Sequence, residues 1–182
     1  MPTDLLGNSL LSIARNAIGA RFGIEASAFT PHHELAQPSA TFVTLTQNGK
    51  LRGCIGSLAA YRKLALDVAE NAVAAAFHDP RFAPLASGEL THTRIEVSLL
   101  AAAEAIDFVD EDDAIARLRP GIDGLILSYG ERRATFLPQV WETLPDPRQF
   151  IAQLKLKAGL PVNLWDEKIS LARYGVQKWK EA

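Results

Sequence analysis

The sequence predicts an α+β fold with largely antiparallel sheets and packed helices. Three observations carry that reading. Strand-like runs flank hairpin signals at Asn48-Gly49 and Tyr129-Gly130-Glu131-Arg132, which join neighbouring strands in opposite directions. Segments with apolar residues at helical spacing are interleaved with these hairpins. The 182 residues are enough for one sizeable domain with a full core.

The elements follow in order. Leu6, Leu10, Ile13, Ala14, Ala17 and Ile18 recur at helical spacing, with Thr3 or Asp4 as the cap and Gly23 as the stop. Glu25 to Ala40, with Thr30-Pro31-His32-His33 and Pro38, reads as an irregular loop. Thr41 to Thr46 is a β-branched and aromatic strand. Counting back from a two-residue turn at Asn48-Gly49 pairs Phe42 with Ile55, Val43 with Cys54 and Leu45 with Arg52. In that register Arg52 and Cys54 share one face; a bulge at Gly53 would break the count.

Tyr61 to Phe77 is a second helix, whose inner stripe runs through Leu64, Val68, Ala72, Ala75 and Ala76, with Asp67, Glu70 and Asn71 mostly off it. His78-Asp79-Pro80-Arg81-Phe82-Ala83-Pro84 is a loop stiffened by two prolines. Arg94 to Leu99 alternates as a strand, turning Glu96 away from the core. Asp110 caps a short helix through Leu118, and Leu125–Ser128 and Arg133–Phe136 form a second hairpin. Leu137 to Trp141 opens a helical turn. Asp146-Pro147-Arg148-Gln149 starts a helix with a cap, a first-turn proline and a capping-box glutamine, and Gly159 and Pro161 end it. Ile169 to Tyr174 is the last alternating run, before Val176 and Trp179.

Composition excludes several classes. Lys+Arg 19 against Asp+Glu 21 gives a net charge of -2, so a general electrostatic footprint for nucleic acid is absent and nucleic-acid binding is the weakest functional reading. One cysteine forms no internal disulfide. The first residues lack a secretory pattern, and no apolar run spans a bilayer. The chain reads as a soluble cytoplasmic protein without membrane attachment. His32 and His33 have no cysteine or acidic partner at ligand spacing, so no metal site is expected.

Chemistry concentrates around Cys54. A guanidinium on the same face favours a thiolate, so Arg52 and Cys54 are the catalytic candidates of a cysteine-dependent enzyme. Such a nucleophile needs a base, and nothing in the sequence brings His78 or His92 to it. The inert reading, a small buried side chain between Gly53 and Gly56 that lets another backbone come close, is the favoured one. Arg52, Asp79, Arg81 and Glu96, with Phe82 in the same stiff loop, form either an ion-paired network or a site for a small anionic ligand.

Leu51-Arg52-Gly53-Cys54-Ile55-Gly56 resembles the signature hexapeptide of the AMMECR family, whose prokaryotic members are called AmmeMemoRadiSam system protein A. Asp79-Pro80-Arg81-Phe82-Ala83-Pro84-Leu85, Ile95 to Leu100 and Thr135 to Val140 are similar to further family blocks in the same order, and Lys157-Ala158-Gly159-Leu160 and Trp165 follow. Ala83 and Ala101-Ala102-Ala103 stand where members often carry proline. The resemblance implies one domain over residues 1–182, made of two unequal intertwined lobes with antiparallel sheets, both chain ends in the larger lobe, and a cleft between them. Its place in the fourth block makes Gln139 a further cleft candidate beside Arg52, Gly53, Cys54, Gly56, Asp79, Arg81, Phe82 and Glu96, with an ordinary turn residue bonded to backbone as the alternative. The resemblance implies Memo-like and radical-SAM proteins as partners and no cofactor. The expected function is that of a partner- or small-ligand-binding component of an AmmeMemoRadiSam-type system.

Overall fold

In the computed structural model, which describes residues 4–182, Asp4 caps the first helix, α1 (Leu5–Ala20), by accepting a hydrogen bond from the Gly7 amide at 3.0 Å. Thr3, the alternative cap, lies outside the described residues. There follow β1 (Ala40–Gln47), β2 (Lys50–Gly56), α2 (Leu64–Phe77) and β3 (Thr93–Leu100). Next come β4 (Glu104–Ile106), α3 (Glu111–Ala116), β5 (Gly124–Tyr129) and β6 (Arg132–Phe136). The last are α4 (Pro147–Lys157), β7 (Ile169–Tyr174) and β8 (Val176–Lys180). Short 3-10 turns occupy His33–Ala36, Ser87–His92 and Pro138–Glu142. The fold is α+β with two antiparallel sheets, as the hairpin pattern predicts. No described helix is long and apolar enough to cross a membrane.

The chain divides into two compact units, Met1–Leu100 with Gln177–Ala182, and Ala101–Val176. In the first, the strand order is β2-β1-β3-β8. Val43, Leu45, Ile95 and Val97 meet Leu10, Ile18, Leu64 and Val68 of the two helices in one core. The alanine side of α2 permits a backbone-to-backbone approach. A side-chain carbon at Gly53 would stand 2.1 Å from the Ala75 carbonyl oxygen, so glycine is what lets the strand and helix touch. β8 has the same effect on α1, because the Trp179 ring occupies the space a Gly7 side chain would need.

In the second unit the order is β4-β7-β5-β6. Leu125, Leu127 and Leu171 pack with Phe150, Ile151 and Leu154 of α4, and Trp141 stacks on Phe150 at 3.7 Å. Asp146 caps α4 by accepting from the Gln149 amide at 2.9 Å. Gly159 ends it at φ +74°, in the left-handed region.

Three expectations are corrected. The hairpin register is Phe42 with Gly56, Val43 with Ile55, Thr44 with Cys54 and Leu45 with Gly53, because an irregularity between Leu45 and Thr46 leaves Arg52 as an additional residue on β2. A bulge slips every pair beyond it by one. Asp67 and Asn71 are buried rather than off the inner stripe, because polar partners from the hairpin surround them. The chain end, without a strand assignment from the sequence, is an edge strand of the first sheet.

Candidate functional site

The bulge separates the two residues that a regular strand would place together. Arg52 turns toward Glu89, donating through Nε to Oε1 at 3.0 Å and through a terminal nitrogen to Oε2 at 3.0 Å. Gln47 donates to the same carboxylate at 3.2 Å. Cys54 lies against Thr44, with Sγ 3.3 Å from its hydroxyl. Thr44 and Gln47 are three residues apart on one strand and so face opposite ways, and Arg52 and Cys54 follow them. The expected shared face is thus overturned. Cys54 is half-buried, and the adjacent Gly53 lies against the Ala75 backbone. Among the described residues no histidine hydrogen-bonds to it, and the group at its sulfur is a hydroxyl, not a base.

β2 is an edge strand, and its outward backbone groups at Cys54 meet the 78–84 loop. Asp79, 4% exposed, accepts the Cys54 amide at 2.9 Å. The Asp79 carboxylate also accepts the Arg81 amide at 3.1 Å and two guanidinium nitrogens at 3.0 and 2.7 Å. Arg81 donates in turn to the Cys54 carbonyl at 3.4 Å. Two loop residues thereby supply what a neighbouring strand would supply, and they seal the edge. The Arg81 guanidinium holds the Asp79 carboxyl well below the usual carboxylate range; burial opposes this, and the Cys54 and Arg81 amides reinforce it. At Glu89 the Arg52 guanidinium, with a hydrogen bond from the Ala86 amide, lowers the pKa to about 2. Phe82 lies between the cations, with the Arg52 and Arg81 guanidinium carbons 5.9 and 5.5 Å from its ring centroid.

Each cation is therefore paired with a carboxylate, and a free anion must compete with Asp79 or Glu89 for it. Arg81 nonetheless keeps 54% of its side chain exposed, against 15% for Arg52. Gly56 lies beneath the Phe42 ring, which fills the space of any side chain there. Glu96 does not join the arginines. It is level with Thr44, hence in one cross-strand row with Cys54, and its carboxylate lies 3.9 Å from Lys178 Nζ. Two strand spacings put it roughly 10 Å across the sheet from Cys54. Gln139 is an exposed residue of the Pro138–Glu142 turn in the second unit. His32 and His33 stack on each other at 4.6 Å, and no group of three or more metal-ligating side chains occurs among the described residues.

Three charged clusters have no counterpart in the local sequence pattern. Glu89, the partner of Arg52, lies 37 positions away, and no local spacing marks it. Asp67 is wholly buried and accepts from the Thr41 amide and hydroxyl at 2.8 and 2.7 Å, Ser57 at 2.6 Å, Arg62 Nε at 2.7 Å and Asn71 at 3.0 Å. This network ties both ends of the hairpin to α2. In the second unit Lys155, 1% exposed, donates to Glu111 at 2.7 Å and to the carbonyls of Val162 and Leu164 at 2.7 and 3.1 Å. Its role is internal, beyond the helix-end cation that its position suggests.

The chain as a whole is similar to known proteins. The family model described as AMMECR1 matches residues 11–179. A protein of Methanothermobacter thermautotrophicus is 34% identical over 180 residues, covering 96% of this chain and 94% of its own length. A protein of Thermotoga maritima is 35% identical and covers 88% of this chain and 89% of its own. The crystal structure of the uncharacterized protein PH0010 from Pyrococcus horikoshii superposes with a TM-score of 0.85 at 32% identity, over 98% of this chain and 93% of that one.

Proposed function

This chain belongs to the AMMECR1 family, and from that premise we propose that it is a binding component, with the 78–84 loop over the β2 edge as its recognition surface. The reading includes work alongside Memo-like and radical-SAM proteins in an AmmeMemoRadiSam-type system, in the cytoplasm. The observation that carries it is the state of the two arginines. Their charges are already met by Asp79 and Glu89, while Arg81 is exposed beside the half-buried Phe82 and Cys54. A neutral, partly aromatic surface with a bonded guanidinium suits a protein partner, since aromatic and arginine side chains anchor interfaces. It suits a free anion less, because the anion must displace a bidentate carboxylate. The absence of a base from the thiol's hydrogen bonds argues against the cysteine-dependent enzyme.

The test is co-purification of the tagged full chain with the Memo-like and radical-SAM proteins of the same organism. Wild type and Cys54→Ala retain them, and Arg81→Ala loses them. Thiol alkylation followed against pH, with Cys54→Ser beside Cys54→Ala, tests the enzyme directly. An alkylation profile shifted to acid pH, with loss of in vivo function in both variants, replaces the binding reading with the catalytic one.

A further inference from the structure

The second unit holds a groove that none of the site residues lines. Its volume is about 550 Å³, within the range of ligand clefts. It runs between the β4–α3 connection and the segment entering β7. Ile106, Ile169 and Leu171 give it an apolar lining, with Phe108 and Trp165 against each other at a centroid distance of 5.4 Å. Val109, beside them, is 88% exposed and extends the apolar surface of the groove to its rim.

The charge in this groove has one sign. Asp107, Asp110, Asp166 and Glu167 line it, and no lysine, arginine or histidine does. Asp110 caps α3, accepting from the Asp113 amide at 2.8 Å, and Asp166 accepts from the Tyr129 hydroxyl at 3.0 Å. Asp107 and Glu167 are exposed and hold no hydrogen bond or ion pair among the described residues. The nearby cation, Lys155, lies 5.3 Å from the Trp165 ring centroid, but Glu111 pairs with it. A concave surface with aromatic walls and uncompensated carboxylates complements a cation carried on an apolar stem.

We infer that this groove receives a segment of a partner protein in which lysine or arginine alternates with apolar residues. A small polyamine supplies the charge but has no side chains to cover Phe108, Val109 and Trp165, and the protein segment supplies both. The groove lies wholly in the second unit, so this inference stands apart from the β2 edge.

The experiment titrates the full chain into a short fluorescein-labelled peptide of alternating lysine and leucine, read by fluorescence anisotropy. A saturable rise is expected with this peptide and none with its glutamate–leucine counterpart. The double variant Asp107→Asn/Glu167→Gln weakens binding about fivefold, as expected for two rim charges. The control pair Glu131→Gln/Glu142→Gln, on exposed carboxylates outside the groove, leaves it unchanged. No saturation, or equal weakening in the control pair, overturns the inference. Displacement by spermidine as effective as by unlabelled peptide overturns the assignment to a protein segment.

Discussion

Asp67 and Asp79 are both buried carboxylates that hold an arginine, yet they do different things. Asp67 takes five donors from Thr41, Ser57, Arg62 and Asn71, and the Arg62 side chain is 15% exposed. That network is closed, and its product is a fixed hairpin end. Asp79 is equally hidden, but the Arg81 side chain it holds is 54% exposed and lies beside Phe82. The difference is on the cation. Burying both partners binds the fold together, whereas burying only the carboxylate presents an oriented guanidinium to solvent. The first arrangement is structural and the second is suited to recognition.

That contrast can be broken by substitution, and the largest effect belongs to Asp67. Asp67→Ala strands Arg62 and the Thr41 amide and hydroxyl, and is expected to cost about 3–5 kcal/mol in urea unfolding, as for a broken buried ion pair. A loss below about 1 kcal/mol would mean that water replaces the carboxylate and the network is not closed. Gly53→Ala follows, because the added carbon meets the Ala75 carbonyl at 2.1 Å. It is expected to cost about 1–3 kcal/mol as strand and helix are forced apart, read as a fall in midpoint at constant urea slope.

Arg81→Ala leaves the buried Asp79 carboxylate with only its two amide donors, and a loss of about 1–2 kcal/mol is expected, together with lost partner association. A large stability loss with association intact would put Arg81 in the same class as Arg62. The smallest effect is a pH dependence. Glu89 has its pKa lowered from 4.5 to about 2 in the fold, so its contribution to stability is present above about pH 4.5 and is lost as pH falls toward 2. The stability gap between wild type and Glu89→Gln should be open at pH 6 and close on acidification. A gap constant from pH 6 to 2 would show that Arg52 does not hold this carboxylate.

The legible parts of the site are the ones made by near neighbours. Asn48 and Gly49, with φ of 50° and 76°, turn the hairpin as their chemistry requires. The Asp79–Arg81 pair, two residues apart, lies inside the loop that two prolines mark out. A bulge near Gly53 was a possibility in the strand pattern, but its place at Arg52 and the contact of Gly53 with Ala75, more than twenty positions on, belong to packing. For the same reason Glu96 looked like a partner of Arg52 by charge alone, while the register sets it in the row of Cys54 and Thr44.

By itself the sequence determined the α+β class, the hairpin turns, the caps at Asp110 and Asp146, and the family blocks, all of which rest on residues a few positions apart or in unbroken runs. Only the tertiary structure decided that Arg52 leaves Cys54 for Glu89, that Asp67 is buried among five donors, and that Arg81 stays open to solvent. Backbone propensity acts over a few bonds, whereas the pairing and burial of a charge depend on which distant segments surround it.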